Sequence, residues 1–232
     1  MDEHLRQELI EYLSGFVTEN KLNKFEEVLS FRTRHITVVL EDIFQPHNAS
    51  AVMRSCDLFG VQDVHIIENS NRFTVNPGVT VGSSKWLNLN RYNKRGEDNT
   101  TACLNHLKEK GYRIVATTPH CDDVLLPDLS IEKPFALLYG TEETGLSDRA
   151  MELADEYMKI PQVGFTESFN ISVSVALSLY DVAHRVWASG IDWQLSEEER
   201  IELRLRWLRK VVRRYQSLED HFFATREQSS EE

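Results

Sequence analysis

Three segments of this 232-residue chain combine residue types that bind or react with small polar ligands. The first, HNASAVMRSCDLFG at 47–60, follows a β-rich run and offers Asn48 and, six residues on, Arg54. On a helix the two stand about 9 Å apart along the axis, so both could flank one ligand of nucleotide size. A helix N-cap and a surface arginine would read the same way. The second segment, FALLYGTEETGLS at 135–147, runs from a strand-like stretch into Gly140, Glu142, Gly145 and Ser147. Its glycine spacing is that of a phosphate-binding loop, but Leu146 stands where that loop needs lysine. What is left is a tight turn at a strand's C-terminal end, the edge at which open α/β sheets bind ligands. Glu142 is there either as a working carboxylate or as a charge matched to the next helix N-terminus. The third, IPQVGFTESFNISVSVALSLYD at 160–181, ends a strand at Ile160 and Pro161 and opens a helix at Ser168, Phe169 and Asn170. Its small residues, Ser172, Ser174, Ala176 and Ser178, allow close backbone approach, and a buried helix with small packing residues has the same pattern.

The elements that position these segments are legible in the periodicity. Leu5, Leu9, Tyr12, Leu13 and Phe16, then Leu22, Phe25 and Leu29, recur at helical spacing. From residue 36 β-rich runs (36–40, 64–67, 86–89, 112–118, 135–140 and 157–161) alternate with helical segments near 47–60, 97–110 and 147–155. That alternation predicts an α/β domain on a mainly parallel sheet. Segment 69–85 has turn formers and no period, and loops of that length are usually functional or disordered. A long helix follows over roughly 170–189. It bears one apolar stripe at Val175, Leu179, Val182 and Val186 and a second at Ala176, Tyr180, Ala183 and Trp187, a face wide enough to be covered from two sides. A last helix over 196–216 starts with a capping-box spacing at Ser196 and Glu199. Ile201, Leu205, Leu208, Val212 and Tyr215 form its apolar side, and Arg206, Arg209, Lys210, Arg213 and Arg214 its basic side.

Composition narrows the class. No apolar run reaches the length of a membrane span, and the N-terminal MDEHLRQELIEYL lacks the layout of a signal peptide, so the cytoplasm is the expected compartment. Cys56, Cys103 and Cys121 are odd in number and scattered, and the eight histidines show no ligand spacing, so neither disulfides nor a metal are expected. A formal charge of −11 opposes indiscriminate nucleic-acid binding, and any RNA contact must use local basic clusters. Candidates are Arg32 and Arg34, Arg72, the group Arg91, Lys94 and Arg95, and the basic side of the last helix, chiefly Arg206, Arg209, Lys210 and Arg213.

Taken together, the three segments resemble the motifs of the SpoU/TrmH branch of the SPOUT methyltransferases. Asn48, Ser50, Ala51, Arg54 and Ser55 match the first motif, and Gly140, Glu142, Gly145 and Leu146 the second. Ile160, Pro161, Ser168, Asn170 and Ser172 match the third, with Phe169 and Ile171 in place of the usual Leu and Val. The resemblance covers about residues 36–190. It implies a SPOUT-type α/β fold with a C-terminal trefoil knot, here flanked by helical extensions at 1–35 and 191–232. It also implies S-adenosylmethionine as cofactor, held by Thr117, Gly140, Ile160 and Phe169, and a homodimer formed through the motif 1 and motif 3 helices. The implied reaction is methylation of a ribose 2′-hydroxyl. Arg54 would act on that hydroxyl in its own or the partner's site, and Asn48, Glu142, Ser168 and Asn170 would shape the site. The two helical extensions resemble those of the family's tRNA methyltransferase, which acts on a D-loop guanosine (position 18). Ribosomal RNA as substrate, or a non-catalytic RNA-binding role, are the alternatives.

Overall fold

Apolar runs with no polar face must lie in the middle of a sheet, and the two most continuous runs of this chain do so. The computed structural model describes residues 1, 3–80, 82–120 and 123–230, so Cys121 lies outside the described residues. The chain begins with α1 (Glu3–Ser14) and α2 (Glu19–Leu29). It continues through β1 (Ile36–Glu41), α3 (Pro46–Leu58), β2 (Asp63–Ile67), α4 (Pro77–Thr80), β3 (Asn88–Tyr92), α5 (Asn99–Glu109), β4 (Arg113–Thr117) and β5 (Val124–Leu125). After these come β6 (Phe135–Tyr139), α6 (Asp148–Leu153), β7 (Glu156–Lys159), α7 (Ile171–Ala188), α8 (Glu197–Val211) and α9 (Tyr215–Ser230).

Among the described residues the strands form one seven-stranded sheet in the order β3-β2-β1-β6-β4-β7-β5, and every pairing is parallel. β1 and β6 are buried along their whole length and lie side by side, Ile36 opposite Phe135 and Leu40 opposite Tyr139. Alternate residues feed two cores. Val38, Leu40, Leu137 and Tyr139 pack with α3 and α7, while Val39, Ile114, Ala136 and Leu138 pack with α5 and α6. Because all strands run the same way, the C-terminal ends of β1, β6, β4 and β7 open on one edge. The topology class read from the alternation of runs is the one observed.

Several local expectations shift. Asn48 is not an N-cap: Pro46 takes the first helical position and Gln45 the cap, which leaves Asn48 in the first turn with its side chain free for other partners. The run at 86–89 starts its strand late, at Asn88, because Trp86 closes a 3₁₀ turn over Ser83–Lys85 and gives its carbonyl to Gln62 Nε2 at 3.0 Å. The run at 157–161 leaves the sheet at Lys159, so Ile160 and Pro161 lie beyond its edge. The last helix, expected through 216, stops at the β-branched pair Val211 and Val212 and restarts as α9 beyond Arg214, whose φ is +55°. Tyr215 is consequently only half-buried.

The chain divides into two compact units, 33–193 and a helical unit made of 1–32 together with 194–232. In the helical unit α8 is buried along two stripes, Ile201, Leu205 and Leu208 beside Leu203 and Trp207, and its capping box at Ser196 and Glu199 is formed. Arg32 belongs to this core. It is 1% exposed with its guanidinium 5.6 Å from the Trp207 ring, so it cannot contact RNA, contrary to the expectation from sequence.

In the sheet unit, Arg185 ties α7 to the segment after β5. Its guanidinium donates to Asp181 and to the Leu129 and Leu126 carbonyls at 2.7–3.0 Å. Under α5, His65 is buried against Tyr92, its Nδ1 3.2 Å from the phenol oxygen and the rings near-parallel. Burial pulls its pKa down to about 4, Lys110 and His106 push the same way, and Asp63 opposes them. The unfolded chain, with an ordinary imidazole, binds this proton more readily than the folded one. The buried neutral ring is therefore fully tolerated above pH ~6.5, and stability falls as pH drops from there toward ~4, by about 3 kcal/mol over the window. His65→Gln should remove that part of the pH dependence in urea melts at pH 7, 5.5 and 4.5. An unchanged slope would show that the proton is taken up elsewhere.

Candidate active site

The three sequence segments converge at the C-terminal edge of the sheet, and the carboxylate of Glu142 is where they meet. Oε1 of Glu142 accepts from Asn48 Nδ2 at 2.9 Å, from the Ile171 amide at 3.3 Å, and from Asn170 Nδ2. Asn170 also donates to Asn48 Oδ1 at 3.1 Å, closing a triangle of side chains from α3, the turn after β6 and the start of α7. Asn170 caps α7 as well, its Oδ1 accepting from the Ser172 amide at 2.9 Å. Glu142, Asn48 and the N-cap of α7 are thus joined in one network.

The turn carrying Glu142 is built by backbone. Thr141 and Gly145 exchange both amide–carbonyl bonds at 3.0–3.1 Å, and Gly145 has a left-handed φ of +70°. Gly140 lies so close to this turn that a Cβ on it would overlap the Gly145 carbonyl and the Leu146 amide. The exit of the turn is held by Glu41, a residue the motifs did not single out. Its buried carboxylate at the end of β1 accepts from the Ser147 amide at 2.9 Å, Ser147 Oγ at 2.8 Å and Thr100 Oγ1 at 2.6 Å. The only sequence sign of it is an acidic residue closing an otherwise apolar strand.

Beside the network lies a cleft of about 380 Å³. Thr117, Gly140, Ile160 and Phe169 all line it, as do Glu142 and Ser168. Asn48 borders a small adjoining groove with Glu142 and Ile171. Thr118, His120 and Gln162 also line the cleft, and their only signal in the sequence is a position just past the ends of β4 and β7. The wall mixes apolar side chains such as Leu146, Met151 and Ile160 with backbone groups, and the volume falls in the range for a nucleoside-sized ligand. Thr117 Oγ1 is buried there, and the Tyr139 hydroxyl lies against Thr117 and Ser178 without closing a well-formed hydrogen bond to either. Burial holds that phenol protonated.

Arg54 is not in this group. It projects from the exposed side of α3 with no ion pair or hydrogen bond among the described residues and does not line the cleft. Six residues turn a helix through about 600°, so Asn48 and Arg54 face different ways and do not flank one ligand within a single chain. The basic candidates also differ. Arg34 is tied to Asp63 at 2.8 Å, and Arg91 donates to Glu68 and to the Phe73 carbonyl. Arg209 pairs with Glu219 at 2.7 Å, and Arg206 is half-buried. Arg72, Lys210 and Arg213 are exposed. Among the described residues no group of three or more His, Cys, Asp or Glu is arranged to hold a metal, and no helix is long and apolar enough to cross a membrane.

The close approach at Gly140 gives a direct test of this geometry. Gly140→Ala meets backbone that cannot yield cheaply and should lower stability by more than about 2 kcal/mol. Gly145→Ala, which only strains φ, should cost about 1 kcal/mol. Thermal melts of both variants check the order, and a Gly140→Ala protein melting like the parent would refute the packing described.

Residues 35–180 match the SpoU rRNA Methylase family. The tRNA (guanosine(18)-2′-O)-methyltransferase of Borreliella burgdorferi is 46% identical over 208 residues, covering 90% of this chain and 93% of that protein. The Aquifex aeolicus TrmH/SpoU tRNA modifying enzyme superposes with a TM-score of 0.74 at 30% identity, over 84% of this chain and 98% of its own. The SpoU methyltransferase AviRb of Streptomyces viridochromogenes, solved with AdoMet, shares the fold at 20% identity and a TM-score of 0.55, over 70% of this chain and 62% of its own. With its three motifs gathered at one edge of a SPOUT-type parallel sheet, this chain belongs to the SpoU methylase family.

Proposed function

We propose that this protein methylates the ribose 2′-hydroxyl of a D-loop guanosine, position 18, in tRNA, with S-adenosylmethionine as methyl donor. The observation that carries the reading is the near full-length identity to a tRNA (guanosine(18)-2′-O)-methyltransferase. The Glu142, Asn48 and Asn170 network beside a nucleoside-sized cleft supports it. The cleft suits the cofactor: its walls offer apolar surface for a base, backbone groups at Gly140 and Ile160, and a buried Thr117 hydroxyl. Thr117, Gly140, Ile160 and Phe169 would hold it, in a region we take to be threaded as a trefoil knot. When bound, it supplies an electrophilic methyl on a positively charged sulfur.

The chain's own residues then have to present a poor nucleophile. A ribose hydroxyl reacts only if it is oriented and its developing negative charge is stabilised. Arg54 suits that role better than proton abstraction, since a guanidinium carries five N–H donors and no acceptor. Asn48, Glu142, Ser168 and Asn170 would fix the walls against which the ribose sits. Because Arg54 faces away from its own cleft, we read it as serving the cleft of a second copy. The exposed stripe Val173, Leu177 and Tyr180 on α7, with Leu58 on α3, supports a homodimer through these helices. The catalytic region would be 36–190, and the helical extensions at 1–35 and 191–232 would grip the tRNA through Lys210, Arg213 and their neighbours, with Arg72 on the sheet unit. Cytoplasmic location accords with this substrate.

Unmodified tRNA transcripts and labelled donor test the reading. The expected product is 2′-O-methylguanosine, lost when the D-loop guanosine is replaced, whereas transfer to ribosomal RNA alone would overturn the tRNA assignment. Arg54→Ala should abolish turnover and leave cofactor binding intact by calorimetry. Mixing Arg54→Ala with Glu142→Ala chains should restore about a quarter of the activity, because half of the dimers then carry one complete site. Mixtures as inactive as either parent would place Arg54 in its own subunit's site.

A further inference from the structure

Beyond the cleft, one apolar feature is left without a task. The loop 161–169, between β7 and α7, is closed at its base by Gln162, which donates from Nε2 to the Glu167 carbonyl at 2.5 Å. Gln162, Glu167, Ser168 and Phe169 face the cleft, so this base is part of the cleft wall. Between these lining residues the loop holds two fully exposed apolar side chains that do not line the cleft: Phe165 is 109% exposed and Val163 107%. Two residues from cleft-lining Glu167, the Phe165 ring leaves both of its faces open to a ligand that reaches past the cleft.

We propose that Phe165 is a stacking platform for an unpaired nucleobase of the RNA substrate, an inference that rests on the ribose methylation reading above. In a nucleoside the base is bonded to the carbon next to the one that bears the reacting oxygen. A ribose seated at the cleft therefore carries its base, or the base of a neighbouring nucleotide, to the cleft's rim. Single-stranded RNA is gripped there by aromatic faces on which splayed bases stack. The local charge favours a base over a phosphate, since Glu142, Glu143 and Glu167 line the cleft and, among the described residues, no lysine or arginine does. Phe165 is accordingly a positioning residue for the substrate and touches neither the methyl donor nor the 2′-oxygen.

The test compares Phe165→Ala, Phe165→Leu, Phe165→Tyr and Phe165→Trp in the full-length protein, with unmodified tRNA transcripts as substrate. Alanine and leucine should raise KM for tRNA roughly tenfold, while tyrosine and tryptophan keep it within about twofold. Cofactor affinity by calorimetry and the oligomeric state by sedimentation should be the same in all four. In Phe165→Trp, adding tRNA should quench fluorescence beyond what the four native tryptophans show. An alanine variant with unchanged KM overturns the proposal, and so does a leucine variant as good as the parent, which would reduce the contact to apolar cover. Loss of the dimer would make the ring a contact between copies, and a shift in cofactor affinity would make it a wall of the cleft; either result also overturns it. Absence of any methyl transfer by the parent protein is a different failure, which removes the ribose methylation reading and this inference with it.

Discussion

A single carboxylate oxygen holds the site together. Glu142 Oε1 takes hydrogen bonds from a side chain of α3, from the capping residue of α7 and from the first amide of α7. None of those donors is a neighbour of Glu142 in the chain, so the network exists only when β1, β6 and the start of α7 are in register. An anion that satisfies several donors costs little where it stands, and removing it would strip one bond from each donor, although Asn48 would keep Gln45 and Asn170 would keep Asn48. The site is thus a consequence of the sheet order rather than an addition to it.

That sheet order follows from burial. β1 and β6 are buried on both faces and occupy the centre, and the turn after β6 must leave the sheet where the chain has no room for side chains. Glycine at 140 and 145 answers that crowding with close approach and with a left-handed turn. Glu41 closes the arrangement from behind, because its buried carboxylate is matched by three donors around the start of α6 and α5. What opens in front is a cleft whose wall mixes apolar side chains with hydroxyls and the carboxylates of Glu142, Glu143 and Glu167.

Much of this was legible in the residues. The alternation of apolar runs and helical periods carried the parallel sheet, and the resemblance of the three segments to the family's motifs picked out Asn48, Glu142 and Asn170, which meet. The meeting itself was not legible, since hydrogen bonds across 94 or 122 residues have no local signature. Local competition misled in other places. Pro46 outbid Asn48 for the start of α3, and a 3₁₀ turn took Trp86 out of its strand. The two-residue β5 is too short to show a period. A charged residue next to a strand looks exposed in a sequence, so Arg32, stacked on Trp207, was read as surface.

The helical unit is assembled from the two ends of the chain, 1–32 and 194–232. During synthesis its first half leaves the ribosome long before its second half exists, so Leu9, Leu13 and Phe25 have no Trp207 or Leu208 to pack on until α8 has been made. Its core is completed by the most distant contacts in the molecule, the slowest kind to form. The sheet unit is fully translated before that helical core can close, and loss of either α1 or α8 would open the same core.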